Sequence, residues 1–129
     1  MPPEESAYAH DWLRIAEKDL ARVERCLHER DAELAGFCLQ QAVEKFLKAF
    51  LLARGWRLRR THDLEALLDD AVSYEPSSEQ YRATCQRVTK YYMLERYPVS
   101  AESGLTPEEV RDSLDAVRGL IQMIRTAKS

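Results

Sequence analysis

Apolar residues along this 129-residue chain recur at steps of three and four, and no alternating run lasts long enough to predict a strand. Trp12, Ala16, Leu20, Val23 and Leu27 mark the buried face of a first helix over about residues 7–29. Asp31 is placed to cap a second helix reaching about Arg54, with Gly55 as its left-handed terminator. A short third helix opens near Thr61 or Asp63 in THDLEALL and ends before Pro76. A fourth begins at Ser77, with Gln80 completing a capping box, and reaches about Glu95, because Pro98 biases Tyr97 out of the helical region. The fifth opens at Thr106 and Pro107, with Glu109 reaching back, and carries the stripe Val110, Leu114, Val117, Ile121 and Ile124. The pattern predicts an all-α protein, an up-and-down four-helix bundle with an additional short helix. One domain is expected over residues 1–129, with an ordered core at 7–127 and a tail at 1–6.

The second helix has too wide an apolar face. Between Leu34 and Ala53 its polar residues are Gln40, Gln41, Glu44, Lys45 and Lys48, confined to an arc of roughly 140° at 3.6 residues per turn. A core-facing stripe needs only about 100°. Either the helix runs through the middle of its own bundle, or its outer flank meets a second subunit. A homodimer is expected, with Phe46→Glu or Leu39→Glu yielding a soluble monomer. The alternative is that the short third helix and the loops cover the excess.

Composition adds bounds. With 45% hydrophobic and 32% charged residues the chain is an ordinary globular one, and a net charge of −3 argues against bulk wrapping of nucleic acid. Three cysteines, Cys26, Cys38 and Cys85, form no CxxC pair. With no leader read at the N-terminus and no membrane-length apolar run, free thiols and a cytoplasmic location are expected. No metal site and no cofactor are called for.

The candidate chemistry gathers around KYYMLERYPV, residues 90–99. The fourth helix's stripe of Tyr81, Cys85, Val88 and Tyr92 extends by four to Arg96. A guanidinium there needs acceptors, for which Glu44, Asp19 or helix-end carbonyls are candidates. Arg96 is either an anion clamp, with Tyr91, Tyr92 and Tyr97 stacking a base or supplying hydroxyls, or a helix-end arginine favoured by the dipole. His62 opens the third helix and either contacts an anion or packs structurally. In ARGWRLRR, Arg54, Arg57, Arg59 and Arg60 surround Trp56, which suits a phosphate and a stacked base, or else is a solvated basic loop.

DWLRIAEKDLARV, AGFCLQQAVEKFLKAFLLARG, THDLEALL and YYMLERYP occur in that order, and together they resemble a HEPN domain over about residues 11–98. The resemblance implies a helical bundle that dimerises around a shared groove, here lined by Gln41, Glu44 and Lys45 beside Arg96. It also implies frequent pairing with a minimal nucleotidyltransferase as toxin and antitoxin, or a role in nucleotide or substrate binding. Many such domains are metal-independent ribonucleases, in which the arginine is followed after four to six residues by a histidine. Arg96 matches that arginine, but Ala101, Glu102 and Ser103 occupy the histidine positions, and no histidine follows His62. A histidine is the usual proton carrier for such cleavage, and arginine stays protonated. A dimeric nucleotide- or RNA-binding accessory module is therefore expected, working with a minimal nucleotidyltransferase and not cutting RNA. Two alternatives remain open: a degenerate metal-independent ribonuclease with Arg96 as phosphate clamp and His62 or a tyrosine as proton carrier, and a module that binds only protein.

Overall fold

The computed structural model describes residues 8–96 and 104–127, with Glu95 and Arg96 described in backbone only. The described elements are α1 (Ala9–His28), α2 (Ala32–Leu52), α3 (Leu64–Tyr74), a 3₁₀ stretch (Pro76–Tyr81), α4 (Arg82–Thr89), α5 (Tyr91–Arg96) and α6 (Pro107–Thr126). The protein is all-α, an up-and-down bundle with α3 as its additional short helix.

The expected helix signals at most ends are in place. Leu34 N donates to the Asp31 carboxylate at 3.2 Å, and Glu65 N donates to that of Asp63 at 3.0 Å. At the start of α6, Thr106 and Glu109 form the reciprocal capping box read from the sequence. Gly55 sits at φ 83°, where the chain leaves α2 and Trp56 N donates back to the Leu51 carbonyl. No atom would crowd a Cβ at Gly55, so Gly55→Ala tests backbone strain alone. It is expected to cost about 1–2 kcal/mol, read as a lower urea midpoint with unchanged slope.

The fourth helix departs from expectation. No capping box forms at Ser77; its hydroxyl donates to Glu75 and Gln80 Nε2 donates to the Ser77 carbonyl, and the chain enters through the 3₁₀ stretch. Pro76 opens this stretch, and a break at Lys90 separates α4 from α5. Beyond that break the core-facing line passes through Tyr91 and Leu94 rather than Tyr92. Tyr91 is buried and its hydroxyl shares a 2.9 Å hydrogen bond with the buried Ser113 hydroxyl on α6. Tyr92, from which the stripe was extended, therefore lies off the core-facing line.

The wide apolar face of α2 has an explanation within one chain. Helices α1, α3, α4, α5 and α6 all pack on it, so α2 is the central helix. Leu39 and Phe46 are fully buried, which corrects their placement on an outer flank facing a second subunit. The Arg125 guanidinium lies 5.8 Å from the Phe46 ring, covering it from α6. Close approach of α5 to α2 is possible because Gly36 faces the Tyr91 ring, with its ideal Cβ position 3.1 Å from Tyr91 Cγ.

Candidate ligand-binding site

The polar line of α2 is largely inside. Gln40, Glu44 and Lys48 stand four residues apart on one face, and all three are buried at 3% exposure or less. Burying an ion pair without partners is strongly unfavourable, so such groups survive only when satisfied. Here they are. Lys48 Nζ donates to Glu44 Oε2 at 2.9 Å and lies 5.0 Å from the Trp12 ring centroid on α1. Gln40 Nε2 donates to Glu44 Oε1 at 3.0 Å and to the His62 carbonyl at 2.9 Å.

His62 lies just before α3, on a segment held from three sides. Gln40 and the Thr89 hydroxyl both donate to its carbonyl, while Leu64 N donates to Thr89 Oγ1. Its Nδ1 is 2.9 Å from Glu44 Oε1. An ionised carboxylate only accepts, so Nδ1 carries the hydrogen, and in the neutral ring Nε2 is the acceptor. The ring stacks on Tyr92 with centroids 4.4 Å apart, and Tyr92 in turn meets Phe37 at 5.7 Å. A buried carboxylate thus fixes the tautomer and the orientation of a half-exposed imidazole, an arrangement that can hold or accept a hydrogen-bonding proton.

Two clefts open beside His62. One, of about 260 Å³, is lined by Glu44, Lys48, Arg60, Thr61 and His62. The other, about 580 Å³ and wider to solvent, is lined by residues that include His62, Gln86, Thr89, Lys90, Tyr92 and Met93.

Of the residues singled out from the sequence, Glu44, His62, Tyr92 and Arg60 come together here. Gln41 is adjacent, donating to Gln40 Oε1 at 2.8 Å. Lys45 points to α1 instead, pairing at 2.8 Å with buried Asp19, which also accepts from Arg22. Both carboxylates offered as acceptors for Arg96 are therefore engaged by other cations; the Arg96 side chain and Tyr97 lie outside the described residues. The basic loop is split. Arg54 covers the Phe50 ring and donates to its carbonyl, and Arg59 pairs with Asp70 at 3.2 Å. Trp56 is half-buried: its Nε1 donates to Asp70 and its ring packs on the core. Arg57 is exposed and lines neither cleft.

Sequence reasoning placed Gln40 and Lys48 in the polar arc but not in the site, and it missed Thr89. The signal for the first two was their four-residue spacing from Glu44; Thr89 has no such local signal, because its partners are 25 and 27 residues away. The cysteines offer no nucleophile. Burial pushes the Cys38 and Cys85 thiols up to about 12, and all three cysteines are free and buried. Among the described residues no group of three or more histidine, cysteine, aspartate or glutamate side chains is arranged to hold a metal.

A family model described as HEPN domain matches residues 9–127. The chain belongs to the HEPN domain family. The crystal structure of TT1696 from Thermus thermophilus is similar to it at 30% sequence identity and a TM-score of 0.81, covering 91% of this chain and 95% of that one. No curated protein matches. The HEPN match spans every described helix, from the first residue of α1 to the end of α6. No helix of the described HEPN bundle is long and apolar enough to cross a membrane.

Proposed function

We propose that this HEPN chain is a homodimeric, cytoplasmic accessory module that binds a nucleotide or RNA end beside α2 without cutting it. In this reading it acts with a minimal nucleotidyltransferase as a toxin–antitoxin-like pair. The observation that carries the reading is the sequence after Arg96, where Ala101, Glu102 and Ser103 stand in place of the proton-carrying histidine of the nuclease members. The Glu44–His62–Tyr92 arrangement supports binding, since it presents an oriented imidazole and a stacked ring pair to open clefts. Exposed Met93 and half-buried Phe37 and Tyr92 give this edge an apolar surface suited to a second copy.

The test is incubation of the purified protein with labelled RNA in chelator, alongside light scattering. Two copies per particle, RNA retained in a shifted band and an intact label are expected. Metal-free cleavage that disappears in Arg96→Ala overturns the non-nuclease reading, and a single copy per particle overturns the shared groove.

A further inference from the structure

Arg60 stands apart from its neighbours in the basic loop. Arg54 and Arg59 are occupied, whereas Arg60 is exposed, has no hydrogen-bond or ion-pair partner among the described residues, and rims the 260 Å³ cleft. The floor of that cleft is the buried Glu44–Lys48 pair, both side chains more than nine-tenths covered. Each floor group retains capacity: Lys48 gives one of its three N–H groups to Glu44, and Glu44 Oε2 accepts from Lys48 alone among the described residues.

The chemistry of floor and rim differs. A bare anion on the floor meets the Glu44 carboxylate, and a bare cation meets Lys48. A hydroxyl donates and accepts at once and suits the pair. At the rim, an unpartnered guanidinium suits a phosphate. The cleft is also smaller than the roughly 300–1,000 Å³ of pockets that enclose drug-sized ligands, so it holds a fragment rather than a whole nucleotide.

We infer that this cleft takes the sugar-phosphate unit of a nucleotide, with its hydroxyls on Glu44 and Lys48 and its phosphate on Arg60. The assignment rests on the nucleotide-binding reading and names the part of the ligand that enters. A base attached to that sugar finds no room inside and lies against the His62–Tyr92 stack.

Calorimetry with AMP, ribose 5-phosphate and inorganic phosphate tests the assignment on the full chain. AMP and ribose 5-phosphate are expected to bind, and Arg60→Ala to weaken both about tenfold or more. The paired change Glu44→Gln with Lys48→Met, which removes the floor charges together, is expected to weaken ribose 5-phosphate as well, while Arg14→Ala on exposed α1 surface leaves binding unchanged. Because Arg60 is exposed and unpartnered, its variant keeps the test decisive even where the floor variant fails to fold. AMP binding untouched by Arg60→Ala but lost in Arg96→Ala overturns this cleft and leaves the nucleotide-binding reading standing. Inorganic phosphate binding as tightly as ribose 5-phosphate overturns the sugar assignment; no binding of AMP or ribose 5-phosphate overturns this cleft, and the same result with no RNA retained in the band shift overturns both readings.

Discussion

Lys48→Met is expected to destabilise the protein by about 3–5 kcal/mol, the cost of leaving a buried carboxylate without its counter-charge. Glu44 keeps two hydrogen-bonding neighbours, Gln40 and His62, but the group that balances its charge at 2.9 Å is gone. For a chain of this length that corresponds to a fall in Tm of roughly 10–20 °C. Glu44→Gln combined with Lys48→Met is expected to recover most of the loss, because a neutral amide no longer needs a cation and the methionine stem packs where the lysine stem packed against Trp12. Urea unfolding of wild type, single and double variants measures both effects. A single variant within about 1 kcal/mol of wild type would mean that water reaches the pair and that its burial is not what orders the site.

Phe46→Glu is expected to abolish folding. The side chain is fully buried on the central helix. Truncating a core phenylalanine alone costs about 3–5 kcal/mol, and burying an unpaired carboxylate adds several more. Together these approach or exceed the roughly 5–15 kcal/mol that typically holds a domain. Leu39→Glu, equally buried, is expected to behave the same way. Circular dichroism at about 25 °C and the absence of a cooperative transition report the outcome. A soluble, helical monomer from either variant would instead place these residues on an outer flank.

That second expectation reverses what periodicity suggested. The excess apolar arc of α2 was legible in the sequence, but the arc's width does not say whether the covering surface belongs to the same chain. Five helices pack on α2, and their arrangement is a long-range fact that no window of α2 contains. The ends of α2, α3 and α6 were legible because capping is local: Asp31, Asp63 and Thr106 each satisfy amides within three residues. The start of the fourth helix was not, for the opposite reason: Glu75 and Pro76 commit the chain to a 3₁₀ entry that competes with the Ser77 cap.

The site was half legible. Glu44 and His62 were visible as chemistry-bearing types, and the separation of 18 residues between them hid their hydrogen bond. The basic loop read as one cluster of equivalent arginines, yet Asp70 claims both Arg59 and the Trp56 indole, and only contacts made in space distinguish Arg60 from them.

The placement of α2 has a consequence for how such a protein changes over time. Its residues are at once the centre of the core and the floor of the candidate site, so almost any exchange there is felt by the whole bundle. Arg60 sits on the connecting segment, exposed and without a hydrogen-bond or ion-pair partner among the described residues, so its replacement removes no such contact. New ligand preferences are therefore readily explored at the lip of the clefts, while the charged floor stays put.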